Sequence, residues 1–286
     1  MQHGDDLEDD FVPDDLVAMS EEEDLPETED VGELLSADED GAVRQASQAQ
    51  DAAAAEKKRK RRAKEKERKA KARLLNFLSA QPPVLLTDYI TSMQAKTFSK
   101  LSGIELADVQ IPESSIADTS AWEGSRNLDQ SVDFISKMLP TLRTRMGQRP
   151  KNNGAPTLLF VAGAALRVAD VTRVLKDKRL RGEKGGDVAK LFAKHFKLEE
   201  HAAYLKRTKI AAAVGTPGRL GKLLCDTDAL STSALTHIIL DVSYRDVKKR
   251  SLLDIPETRD EVFRTVLGAP KVLSGLKQGT IQLVLL

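Results

Sequence analysis

Three groups of residues in this 286-residue chain have types and spacings that could do chemistry. The first is Val214-Gly215-Thr216-Pro217-Gly218-Arg219-Leu220, which follows a short apolar run and opens a helical pattern ending at Cys225. Thr216 is suited to be the N-cap and Pro217 the first helical residue. Such a turn presents free backbone N–H groups, where a phosphate could sit with Arg219 beside it. From the residues alone, it reads equally well as a tight strand-to-helix turn. The second is Asp241, a lone carboxylate at the end of the apolar run Thr236–Asp241, which could hold a metal ion. The third group is cationic. Arg245, Lys248, Lys249 and Arg250 follow that run, at the edge where open α/β sheets bind ligands. Far upstream stand six consecutive cations, Lys57, Lys58, Arg59, Lys60, Arg61 and Arg62. A run of this kind suits both nuclear localisation and contact with nucleic-acid phosphates.

Other chemistries find little support. The single cysteine, Cys225, rules out an intramolecular disulfide and a cysteine-based zinc site. His3, His195, His201 and His237 lack the spacing of a paired metal site on one helix or strand. No cofactor, metal or small-molecule substrate is therefore expected.

The elements that must position these residues follow from apolar periodicity. Strands are expected at Thr157–Ala162, a continuous apolar run as in a strand buried on both faces, and at Ile210–Val214, Thr236–Asp241 and Ile281–Leu286. Helices are expected at Val84–Phe98, Leu128–Leu142 (ending near Pro140), Ala165–Lys176, Asp187–His195, Leu198–Lys206, Pro217–Cys225 and Ile255–Leu267. Ile104–Asn127 reads as a loop holding the single tryptophan, Trp122, as a core anchor. Alternation of strand and helix predicts a parallel α/β sheet with right-handed crossovers over residues 74–286.

Charge divides the rest of the chain. Residues 1–40 carry 18 Asp and Glu and no Lys or Arg, so the other 246 residues hold all 44 basic residues against 26 acidic ones. Residues 1–50 hold too few bulky apolar groups to offset ordering entropy and are expected to be a disordered acidic tail. Residues 51–73 are expected to be a basic arm of helix-forming residues; residues 57–73 hold twelve cations and two acids. The acidic start has no apolar core like that of a secretory signal, and Leu158–Leu166 is too short to span a membrane.

The Val-Gly-Thr-Pro-Gly-Arg-Leu turn resembles the RNA-backbone-contacting motif of DEAD-box RNA helicases. Ile238-Ile-Leu-Asp241 stands where those enzymes carry the Asp-Glu-Ala-Asp box, which here reads Asp241-Val242-Ser243-Tyr244. Val161–Arg167 occupies the place of their Pro-Thr-Arg-Glu-Leu segment. Their phosphate loop needs Gly-x-x-x-x-Gly-Lys-Ser/Thr; Gly221-Lys222 is followed by Leu223, and Ser114–Leu128 has no such run. The chain also ends at Leu286 without room for a second helicase lobe. The resemblance implies a single RecA-like, P-loop-type α/β domain that has lost its ATP chemistry.

Further segments resemble a narrower family, the small-subunit-processome proteins that are subunits of the early 90S pre-ribosome containing the U3 small nucleolar RNA. They are Ala165–Asp170, Lys190–Lys197, the Thr-Pro-Gly-Arg turn and Tyr244–Asp254 continuing to Arg259, and the resemblance spans residues 104–286. It implies nucleolar location and a non-catalytic role as scaffold or RNA- or protein-binding module in small-subunit assembly. Pre-ribosomal proteins, and pre-rRNA or snoRNA, are the partners it suggests. Thr216, Gly218, Arg219, Arg245, Lys248, Lys249 and Arg250 become its expected contact residues. A general nuclear RNA-binding factor and a divergent RNA-dependent ATPase stay open as alternatives.

Overall fold

In a computed structural model of the chain, residues 79–286 are described, with Arg59 ahead of them. Ten helices and five strands alternate there: α1 Pro83–Thr97, α2 Gly103–Val109, α3 Ser131–Met138, α4 Pro140–Met146, β1 Leu158–Val161, α5 Ala165–Leu175, α6 Lys178–Arg181, β2 Asp187–Leu191, α7 Leu198–Arg207, β3 Ile210–Gly215, α8 Pro217–Cys225, β4 His237–Leu240, α9 Pro256–Glu261, α10 Pro270–Lys277 and β5 Gln282–Leu285. A π-helical turn, Val262–Val266, continues α9.

All strand pairs are parallel, in the order β2-β3-β1-β4-β5. Successive side chains of a strand point to opposite faces. Leu159, Val161, Ala213, Ile238 and Leu240 accordingly enter one apolar core with α1, α8 and the π turn, while Leu158, Phe160, Ala212, Val214 and Ile239 enter a second with α3, α4 and α5. Both faces are covered, which is why the inner strands β1 and β3 read as unbroken apolar runs. Beyond β5, Ile116 bridges Leu283 in parallel and the Ala117 N–H donates to the Leu283 carbonyl at 2.9 Å.

Most expected elements stand within a residue or two of their place, and three do not. Asp187–His195, read as a helix, contains the edge strand β2. Its Val188, Ala189 and Leu191 are buried against the alanines of β3, so tertiary pairing overrides the local pattern. Leu128–Leu142 is two helices, not one. Pro140 has no N–H to continue α3, and Leu139 before it is driven out of the helical region to φ −127°, ψ 58°. Ile104–Asn127 is not all loop. Ser102 and Glu105 form a reciprocal capping box that starts α2, with the Glu105 N–H on Ser102 Oγ at 3.3 Å and the Ser102 N–H on Glu105 Oε2 at 2.8 Å.

Two histidines in the body of the domain make stability pH-dependent. Burial, reinforced by the positive charge of Arg219, pushes His201 down to about 4; burial and Arg145 do the same to His237. Both stay neutral in the folded state while the unfolded chain protonates near the ordinary value of 6.5. Their contribution is therefore full above that value and is lost as pH falls toward 4. The melting temperature is expected to drop between pH 7 and pH 5, and less steeply in His237→Gln. Melts recorded across that range check both statements.

Candidate functional site

The carboxyl ends of β1 and β4 carry the centre of the site. Asp241 follows β4 directly, and its side chain is fully buried. A buried carboxylate needs a cation or several donors to hold its charge. Arg167, in the first turn of α5, supplies the cation: its Nε donates to Asp241 Oδ2 at 2.7 Å and its Nη2 to Oδ1 at 3.3 Å. The Ser243 hydroxyl and the Tyr244 N–H complete the shell on Oδ1, and the Arg167 guanidinium lies 5.0 Å from the centre of the Tyr244 ring. A metal ion could reach both oxygens only by displacing a bidentate guanidinium. The position that could hold a cation is filled by the chain itself.

A cleft of about 530 Å³ opens beside this pair, lined by Trp122, Ser125, Arg126, Arg167, Tyr244 and Arg245 among others. Its outer wall is the loop between Ala117 and α3. Buried Arg126 threads that loop: Nη1 donates to Thr119 Oγ1 and the Leu285 carbonyl, both at 3.1 Å, and Nη2 to the Thr119 carbonyl at 2.7 Å. Its guanidinium also lies 5.1 Å from the centre of the Phe134 ring. Burial lowers it to about 10, so it keeps its charge at neutral pH. A phosphate loop works through bare backbone N–H groups; this loop is organised around a side-chain cation that uses backbone carbonyls. Trp122 is half-buried, edge-on to Phe134 at 5.6 Å.

The Thr216–Arg219 turn joins β3 to α8. Thr216 is the N-cap by backbone geometry, but its hydroxyl makes no capping bond. Gly218 lies under the Glu261 carboxylate, whose Oε1 would be 2.5 Å from any Cβ placed there. The chain's own carboxylate thus stands at the positive end of the α8 dipole. Arg219 is only 7% exposed and turns inward, where Nη2 donates to the Phe196 carbonyl at 2.6 Å. It thereby braces the connection from β2 to α7, in which His195 holds φ 68° and the Phe196 ring stacks on His201 at 5.2 Å. Arg219 Nε and Nη1 and His201 Nδ1 are buried without hydrogen-bond partners.

Arg245–Arg250 divides in two. Arg245 Nη1 is bonded to Asp254 Oδ2 at 3.0 Å, which also accepts from the Ser251 N–H and hydroxyl. Arg250 is paired with Asp246 at 2.8 Å. Lys248 and Lys249 remain exposed at the tip, with Lys249 at φ 59°. Of the run Lys57, Lys58, Arg59, Lys60, Arg61 and Arg62, only Arg59 is described, as an exposed helical residue; the other five, with the acidic tail, lie outside the described residues. Among those described, no three His, Cys, Asp or Glu side chains gather as for a metal, Cys225 is a free exposed thiol, and no helix is long and apolar enough to cross a membrane. Arg126 and Arg167 carry no local sequence pattern that marks them. The signal for Arg167 was Asp241 itself, since a lone carboxylate closing a buried strand demands a cation.

A five-stranded parallel α/β sheet whose carboxyl edge is filled by the chain's own arginines is the class these features define. Solved structures similar to it include a DEAD-box protein from Methanococcus jannaschii (15% identity, TM-score 0.33, 58% of this chain and 37% of that one) and the yeast DEAD-box splicing factor Prp28 (17%, 0.35, 58% and 34%). Residues 41–286 match the profile of the CMS1 family, the U3-containing 90S pre-ribosomal complex subunit, and the chain belongs to that family. Similar relatives are protein CMS1 of Chaetomium thermophilum, 41% identical over 61% of this chain and 67% of that protein, and protein cms1 of Schizosaccharomyces pombe, 34% over 64% and 62%. Human protein CMSS1 is 29% identical over 63% of this chain and 58% of its own length. The chain is thus a ribosome-biogenesis protein. The match spans less than two thirds of the fission-yeast and human relatives.

Proposed function

We propose that the chain serves the small-subunit processome as a non-catalytic module, in the nucleolus, binding pre-ribosomal protein or RNA during 40S assembly. The observation that carries this reading is the Arg167–Asp241 bridge. In an ATP-driven lobe this edge must admit a magnesium ion and expose backbone N–H groups to phosphates. Here a guanidinium satisfies the carboxylate and Arg126 fills the loop. What remains is a rigid α/β scaffold with a decorated carboxyl edge, suited to holding a partner.

Within that role the expected contact residues take different parts. Lys248 and Lys249 reach outward, Arg245 and Arg250 shape the loop that carries them, and Thr216, Gly218 and Arg219 shape the neighbouring turn. Lys57–Arg62 supply nuclear entry and contact with an anionic partner. The tagged chain is expected to co-sediment with particles containing U3 RNA and small-subunit precursors. Alanine at all six positions from Lys57 to Arg62 is expected to shift the protein out of the nucleus and flatten the salt dependence of RNA binding. The slope should fall by about 0.7–0.9 for each phosphate that the variant no longer neutralises. Sedimentation with bulk nuclear RNA but not with those precursors would point instead to a general RNA-binding factor.

A further inference from the structure

Few large apolar side chains are exposed on the described domain, and three of them stand in the segments that follow the carboxyl ends of β1, β2 and β4. Leu166 follows β1 and is 76% exposed, Phe196 follows β2 at 39%, and Val247 follows β4 at 97%. Exposed lysines share those connections: Lys194 and Lys197 beside Phe196, Lys248 and Lys249 beside Val247. None of the four is in an ion pair among the described residues, whereas Asp241, Asp246 and Asp254 are each paired with an arginine. The rim therefore presents aliphatic and aromatic knobs among unspent positive charges.

These knobs are held in place before any partner arrives. At the Val247 tip the Asp246 N–H donates to the Arg250 carbonyl at 3.0 Å and the Lys249 N–H to the Asp246 carbonyl at 2.8 Å. Asp246 also accepts from the Arg250 N–H at 2.7 Å and from Arg250 Nε at 2.8 Å. Phe196 is fixed by Arg219 through its carbonyl and by its stack on His201. Its ring stands at a cleft of about 760 Å³ beside β2, with Arg173, Lys176 and Lys190 on the walls. A surface ordered in advance binds without a large loss of side-chain and loop entropy.

We propose that this rim docks an extended segment of a partner protein in which acidic residues are interspersed with large apolar ones. This rests on the pre-ribosome reading above for where the partner is found, and it narrows the partner from RNA or protein to protein. Lysines alone would suit either. A nucleic-acid strand rewards cations for its phosphates and flat π faces for its bases. The aliphatic Leu166 and Val247 offer neither, yet they match the apolar core of a protein interface, which a cationic rim steers onto an acidic segment.

The test uses the purified full-length chain and two fluorescent probes, a peptide alternating Asp and Leu and an oligouridylate. Leu166→Ser and Val247→Ser alter exposed side chains, so their melting temperatures are expected to match the parent. Each is expected to weaken peptide binding about tenfold, the loss from leaving one such side chain unburied, while oligouridylate binding stays as it was. Lys248→Glu with Lys249→Glu is expected to weaken the peptide at least as much. The inference is overturned if the peptide does not bind, if it binds both serine variants as well as the parent, or if those variants weaken oligouridylate as much as peptide, which would assign the rim to RNA. Continued co-sedimentation of those variants with pre-ribosomes, with peptide binding unaffected, would sink the rim inference alone and leave the assembly role standing.

Discussion

Arg167→Ala is expected to lower the melting temperature by about 10 °C. Removing one member of a buried ion pair leaves an uncompensated charge and costs about 3–5 kcal/mol. In a domain of this size each kcal/mol is worth about 2–4 °C. The side chain of Asp241 has no solvent exposure and that of Arg167 has 11%, so little screening softens the loss. The charge left behind after Arg167→Ala is the fully buried one. Asp241→Asn leaves instead a guanidinium that keeps some access to solvent, and its amide can still bond Ser243 and Tyr244. It is expected to melt between the parent and Arg167→Ala. Combining the two is expected to cost less than the sum of the single losses, because each removes the same interaction. Circular-dichroism melts of the four proteins test this ordering, and an Arg167→Ala variant that melts with the parent would show that no such bridge exists.

Arg219→Glu has the second large effect. It removes the bond to the Phe196 carbonyl and places a carboxylate where the guanidinium was buried. A drop in melting temperature comparable to that of Arg167→Ala is expected, from the burial of an unpaired charge. A second readout separates bracing from general damage. Arg219 helps to hold His201 at about 4, so replacing it should let that histidine titrate at higher pH, as followed by the His201 ring signals in NMR. An unchanged melt and an unmoved histidine would mean that Arg219 faces solvent and is free to meet a phosphate.

How much of this was legible in the sequence depends on the range of the interaction concerned. Strands β1, β3, β4 and β5 were legible because both faces of the sheet are covered, so each consists largely of apolar residues. Strand β2 was not. Lying at the edge, it exposes Asp187 and Lys190, and that mixture matches a helix as well as a strand until β3 is there to pair with it. The end of a helix near Pro140 was legible, whereas the Ser102–Glu105 capping box was a local signal inside a segment expected to be loop. Asp241 stood out as a lone carboxylate, but Arg167 lies 74 residues away and no local pattern joins them. In Arg245–Arg250 the positive charge was plain, and the Asp246–Arg250 pair has the i, i+4 spacing that could have revealed it. The inward turn of Arg219 was invisible, because its partner is a backbone carbonyl and backbone acceptors leave no mark in a sequence.

Arginine side chains occupy the carboxyl edge of this sheet, Arg167 on Asp241 and Arg126 within the neighbouring loop, and leave no place there for a nucleotide and its metal. Isothermal titration of the full-length chain with magnesium and ATP tests it most directly. With Arg167 on Asp241 and Arg126 threaded through the neighbouring loop, no saturable heat is expected up to millimolar nucleotide. A one-to-one isotherm with a micromolar Kd, lost in Asp241→Asn, would contradict the account and point to a nucleotide-driven enzyme.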